Sequence, residues 1–156
     1  QHQRAEGAME AFEKRFFALI ELWRTRASEI TWRVGSGETV RGEHAFRDLW
    51  RQLAQKLEAN APNLQLFHES EPWTHHFRLL EGVALYIIQH NPVQTSFYKE
   101  MLLMNLFPSE IRLCALYSAC FAGAFATLFN PGELAQLVDE GDRRLLQRHL
   151  NNRESK

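Results

Sequence analysis

His75 and His76 stand at the head of the run "WTHHFRLLEGVALYII", residues 73–88, and His68, Glu69 and Glu71 closely precede them. Neutral imidazoles and carboxylates are good zinc ligands, three serving a catalytic site and four a closed one. The spacing matches no recognised ligand pattern, and neighbours on a helix point about 100° apart. No metal site is therefore expected. One histidine is expected to hydrogen-bond across the fold while the other faces solvent. Arg78 follows one turn later among Phe77, Leu79 and Leu80. Drawn inside, its guanidinium must pair with a carboxylate or with carbonyl oxygens, and Glu43, Glu81 and Glu110 are the candidates. Arg78 reads either as a structural ion-pair residue or as a ligand contact. The candidate ligand-binding set is His75, His76 and Arg78, with Arg41 or His44 as neighbours.

A second pattern is "RLLQRH", Arg144 to His149. An arginine and a histidine so spaced on a helical frame resemble the pair of the HEPN ribonucleases, which are also all-α. That resemblance implies an arginine stabilising charge on a scissile phosphate and a histidine in acid–base catalysis. Leu145 departs from the polar residue usual after the arginine. Without that activity, Arg143, Arg144, Arg148 and Arg153 read as a solvated basic face or a weak phosphate or partner surface. "GSG" at Gly35 lacks the lysine and helix start of a phosphate-cradling loop, and no motif marks a hydrolase nucleophile. The expectation is no catalytic residue and no cofactor, with Arg144 and His149 as the enzymatic alternative.

The elements that must position these groups read as helices. Met9, Phe12, Phe16, Leu19, Ile20, Trp23, Ala27 and Ile30 recur at three- and four-residue steps, with Glu10, Lys14, Glu21 and Arg24 opposite. "TWRVGSGETVRG" breaks that period and reads as a small hairpin or an ordered loop. A second helix carries Phe46, Leu49, Trp50, Leu53 and Leu57 inward and ends near Asn60-Ala61-Pro62. "PNLQLFHESEP" reads as a loop. The third helix is the run that opens at Trp73, stopped by His90-Asn91-Pro92. "QTSFYKEMLLMNLF" gives a fourth. Pro108 starts a fifth that runs to Asn130-Pro131-Gly132. Its small residues Ala115, Ser118, Ala119, Ala122, Gly123 and Ala126, with Phe121, Phe125 and Phe129 buried beside them, mark it as central, crossed on two sides. One or two short helices close the chain, with residues 1–8 and 151–156 frayed.

The reading is one all-α domain over 1–156, a bundle of about six helices with a long amphipathic first helix and a buried central apolar helix. A length of 156 residues suffices for one substantial core. A net charge of −1 gives no general pull toward nucleic acid or an acidic membrane. "LCALYSACFAGAFATLF", 17 uncharged residues, is short for a membrane span and rich in small side chains. Cys114 and Cys120 are too badly placed on one helix to bridge, and their free thiols suit the cytosol. The chain starts at Gln1 without a leader and reads as part of a longer protein.

The order of segments "FFALIELWRTRASEI", "RGEHAFRDLWRQL", "HHFRLLEGVALYI" and "FYKEMLLMNLFPSEIRLCALYSACF" resembles the phage abortive infection protein family. The residues that carry it are Phe16, Phe17 and Leu19; Gly42, Ala45 and Phe46; His75, Phe77, Arg78 and Tyr86; and Tyr98, Glu110 and Tyr117. It covers about residues 12–130. Leu103 and Asn105 stand where the family favours a basic residue and glutamine, Phe107 where it has a serine cap, and His76 where it has a tyrosine. The resemblance implies a bacterial antiviral defence protein, with this domain on the cytoplasmic face of the inner membrane and anchored through an N-terminal segment. The expected role is a sensor or regulatory domain, non-enzymatic, recognising a phage component or a signal molecule. A homo-oligomer, first a dimer, is expected from the apolar area of Phe17, Leu22 and Trp32 beyond the main stripe; nucleic acid is not an expected partner. The third class of role is a purely structural protein-interaction module.

Overall fold

The computed structural model describes residues 2–59, 70–90 and 95–154, with side chains at 6–59, 70–90 and 95–151. Helix α1 (His2–Glu29) follows directly from its stripe: Phe12, Phe16, Ile20, Trp23 and Ala27 are buried, and Glu10, Lys14, Glu21 and Arg24 are exposed. The interior lacks proline and glycine after Gly7, so nothing interrupts the ladder. The chain then folds back as a hairpin, β1 (Thr31–Arg33) against antiparallel β2 (Thr39–Arg41), with Trp32 opposite Val40. Gly37 supplies the positive φ of its turn. Trp32 is half-buried rather than part of an exposed patch. Its Nε1–H donates to Asp48 at 3.0 Å and its ring meets Trp73 edge-on.

Gly42 joins hairpin to helix. Its φ is 60°, its N–H donates to the Ile30 carbonyl at 2.9 Å, and a Cβ there would lie 3.0 Å from the Ser28 carbonyl oxygen. Only glycine meets both demands without strain. Helix α2 (Glu43–Glu58) buries Ala45, Phe46, Leu49, Trp50, Leu53 and Leu57. Helix α3 (Glu71–His90) buries Trp73, His76, Phe77, Leu80, Val83, Ala84 and Ile87, and ends where the Asn-Pro step predicts. The loop expected over 62–72 lies outside the described residues up to 69. Helix α4 (Thr95–Met104) runs beside α1, with Tyr98 wedged against Phe12 and Phe16 and its hydroxyl on Glu13 at 3.0 Å.

The expected central helix is shorter than its apolar run. Helix α5 (Pro108–Cys120) buries every residue from Leu113 to Ser118 and packs on α2, but the backbone leaves the helix at Phe121 and is extended at Gly123. A separate short helix, α6 (Ala124–Leu128), follows. Glu81 of α3 explains the break. Its carboxylate accepts the Phe125 N–H at 3.1 Å, and a Cβ at Gly123 would come 2.9 Å from its Oε2. The side chain thus starts a new helix where periodicity alone predicts continuation. Phe125 and Phe129 are fully buried, contributing on the order of 1.5–3 kcal/mol each before entropic losses. Phe121 is only half-buried, and Ala122 and Gly123 are exposed, so the run is interrupted at its middle, with α5 packed on α2 before the break and α6 packed on α3 after it.

Helix α7 (Pro131–Ala135) is capped by the Asn130 side chain, which accepts the Gly132 N–H at 2.8 Å. Helix α8 (Glu140–Glu154) is capped by Asp139, which accepts the Asp142 N–H at 3.0 Å. Arg112 of α5 binds both Asp139 (2.8 Å) and Asp142 (2.5 Å), tying that cap to the core. The eight helices and one hairpin make an all-α bundle among the described residues. Helical backbone reaches His2 and Glu154. Cys114 is buried, Cys120 is half-buried, and the two do not bridge. No helix among the described residues is long and apolar enough to cross a membrane.

Candidate functional site

The buried stripe of α3 carries one polar ring. His76 sits at the same three- and four-residue spacing as Trp73, Phe77 and Leu80, so the helix delivers it into the core. A histidine there must be satisfied internally. Its Nε2 lies 2.5 Å from Glu110 Oε2, and both side chains have no exposed area. Glu110 is placed by Pro108: as the third residue of α5 its other oxygen accepts the Phe107 N–H at 3.1 Å, half of a capping box. The Trp23 indole Nε1–H, from α1, points at the same His76 nitrogen from 3.3 Å.

Nε2 carries either a proton or a lone pair. The short contact assigns the proton to the bond donated to Glu110. The indole then lies against a nitrogen without a lone pair to offer, as the weaker third member. Rings of Phe46 and Phe77 meet the imidazole edge-on at 5.0 and 5.4 Å, leaving it little room to turn. His76 Nδ1 is buried without a hydrogen-bond partner among the described residues, as is Trp73 Nε1 one turn earlier. The neighbouring thiol of Cys114 is pushed well above its ordinary value, first by burial and then by the Glu110 charge. The His76–Glu110 bond thus joins α3 and α5 inside an apolar core, with the Trp23 indole of α1 packed against the same nitrogen.

Above this link, the last turn of α1 and the first turn of α3 enclose an open cavity of about 370 Å³. Its lining is Arg26, Glu29, Ile30, Pro72, His75 and His76. That volume suits a small ligand. Arg26 and Glu29 supply opposite charges, and His75 is exposed, 3.7 Å from Glu71. The histidine pair therefore divides as expected, one inward and one outward, in the way that a 100° step dictates.

The other sequence candidates lie elsewhere. Arg78 is exposed on α3 rather than drawn inside, and its three candidate partners serve other groups: Glu43 faces Arg47, Glu81 caps α6, and Glu110 holds His76. Arg41 is exposed on β2, and His44 lines a different cavity, of about 420 Å³, with Arg47 and Arg51 below the hairpin turn. Neither lines the cavity with His75 and His76. Of the five possible metal ligands, His68 and Glu69 lie outside the described residues. No group of three metal-ligating side chains is found among those described.

Arg144 and His149 do not converge. Five helical residues separate them by about 140° around α8. Arg144 is exposed and paired with Glu140 at 2.5 Å, whereas His149 packs toward α5, its Nε2 3.8 Å from Cys120 Sγ. The expected solvated basic face is also corrected in part. Arg143 donates to the carbonyls of Ala135, Gln136 and Val138, and Arg148 to that of Leu57. Both close the C-terminal ends of other helices, where carbonyls lack intrahelical donors.

The sequence offers Glu110 as a partner for Arg78 and as a residue of the resemblance, and Trp23 as part of the first apolar stripe, but does not bring either to His76, and it gives Arg26 no role. The signals were present: His76 on an apolar register, an acid two residues after a helix-starting proline, and a buried indole needing an acceptor. No family model matches the chain, and neither a curated protein nor a solved structure matches it.

Proposed function

We propose that the chain is a recognition and regulatory domain of a bacterial phage-defence protein of the abortive-infection type. In this reading it works on the cytoplasmic face of the inner membrane, the parent protein being anchored by a segment outside this sequence. It recognises a phage component or a signal molecule, self-associates, and acts on neither substrate nor nucleic acid. The sequence resemblance supports the defence setting. Several of its residues have structural work in the bundle: Gly42 permits the hairpin-to-helix turn, Phe77 and Tyr117 stack at 4.6 Å, and Glu110 holds His76.

The observation that carries the recognition role is the buried Trp23–His76–Glu110 link beneath the α1–α3 cavity. Helix α1 has 28 residues and spans about 42 Å, so it is a lever whose inner end is fixed. The 2.5 Å bond between two buried polar groups holds α3 to α5, and the Trp23 indole of α1 is seated against the bonded His76 nitrogen. Moving α3 against α5 strains that bond and leaves buried polar groups unpaired, and moving α1 displaces the indole packed on the same nitrogen, which favours two discrete arrangements over continuous drift. A ligand seated between the last turn of α1 and the first turn of α3 touches both sides of that switch.

The experiment is phage challenge of bacteria expressing the protein from its complete reading frame. The expected result is fewer plaques than on vector-bearing cells, with infected cells arresting before they lyse. Equal plating of every phage in a broad panel overturns the defence reading.

A further inference from the structure

A groove of about 850 Å³ runs along α1 on the side away from the cavity described above. Its α1 wall includes Phe17, Ile20, Glu21, Arg24 and Ser28, and its other wall is the end of α4 and the link that follows it, with Met101, Met104, Leu106 and Phe107. Phe17 is 44% exposed and Met104 84% exposed, so apolar side chains stand in solvent at its edges. Phe17, Glu21, Arg24 and Ser28 follow one another at steps of four, three and four, all exposed. That spacing sets the four side chains along one face of α1, where a second helix can lie against them.

The charges on the seam point to its occupant. Glu21 and Arg24 have no ion-pair partner within the described residues, and they sit one turn apart with opposite sign. An antiparallel copy of α1, related by a twofold axis near residues 22 and 23, sets each Glu21 opposite an Arg24. The same axis brings Phe17 of each copy opposite Ser28 of the other, both lining the groove. A surface that complements itself in this way meets the requirement of a two-fold interface. We infer that this groove is the dimer interface of the chain, with α1 of a second copy as its occupant. The inference rests on the self-association included in the proposed function and gives that association a surface and a symmetry.

Sedimentation of the chain tests both levels. The wild type is expected to dimerise at concentrations up to about 100 µM. Glu21→Arg or Arg24→Glu alone places like charges opposite each other twice, and each is expected to weaken the dimer about tenfold or more. The double variant E21R/R24E restores opposite signs and is expected to restore the dimer. Both positions are exposed, so circular dichroism should report an unchanged fold in all variants. A wild-type monomer throughout overturns self-association itself. A dimer indifferent to the single reversals keeps self-association and removes this surface, and failure of the double variant to recover removes the antiparallel pairing.

Discussion

Replacing Glu110 by alanine removes the acceptor of the His76 bond and the cap of the Phe107 N–H in one step. Both members of the His76–Glu110 pair are fully buried, so no water can replace the lost partner without opening the core. Breaking a buried pair by deleting one member costs about 3–5 kcal/mol. That is a large part of the roughly 5–15 kcal/mol that holds a domain folded. At about 2–4 °C per kcal/mol for a chain of this size, the melting temperature should fall by about 6–20 °C. Urea titration followed by far-ultraviolet circular dichroism measures the cost, with an unchanged slope showing that the unfolding reaction is the same. The control is His76→Phe combined with Glu110→Leu, which takes both polar groups away together and keeps a ring among Phe46, Phe77 and Trp73. Paired replacement of this kind is often close to neutral, so the double variant should be more stable than Glu110→Ala. A cost below about 1 kcal/mol for Glu110→Ala, or a double variant as damaged as the two single changes summed, refutes the reasoning.

Gly42→Ala should cost about 1–2 kcal/mol, because φ is 60° and the new Cβ meets the Ser28 carbonyl at 3.0 Å; urea denaturation checks it, and an unchanged midpoint contradicts the turn assignment. Asp139 is held below its ordinary carboxylate value, first by the Asp142 N–H and then by Arg112. A lowered folded value means stability that is present above the unfolded pKa of about 3.9 and is lost as pH falls through the folded one. Asp139→Asn keeps a cap but not the charge, so its deficit in melting temperature against wild type should shrink as pH falls from about 5 to about 3; a deficit constant with pH contradicts this. With its thiol buried and pushed well above the ordinary value, Cys114 should resist iodoacetamide in the folded chain and react once urea unfolds it; rapid native labelling at Cys114, mapped by peptide mass, contradicts the packing of α5.

The helices were legible wherever a stripe faced one core. The α2 stripe predicts buried residues throughout and the α1 stripe most of them, because burial of apolar area at helical spacing decides both the element and its inward face. The break between α5 and α6 was not legible, since the cause sits on another helix: Glu81, 44 residues away from Phe125, offers the acceptor that starts α6. Arg143 and Arg148 were misread for the same reason. A basic run looks solvated until the carbonyl ends of other helices are known to lie beside it. The apolar neighbours of Arg78 in sequence leave open whether it is drawn inside, and Phe77 and Leu80 define an inward face that leaves it outside. His76 occupies that inward face, and the same period places it beside the core; what the period lacks is the identity of the partner, which comes from α5 across the bundle.

The most direct test of the coupling claim uses the variant built to fold without the link. Cells expressing the complete protein with His76→Phe and Glu110→Leu should contain it at wild-type levels, yet phage should plate on them as on cells without the protein. Protection equal to wild type by that variant would contradict the claim that the Trp23–His76–Glu110 link carries the recognition event from the α1–α3 cavity into the bundle.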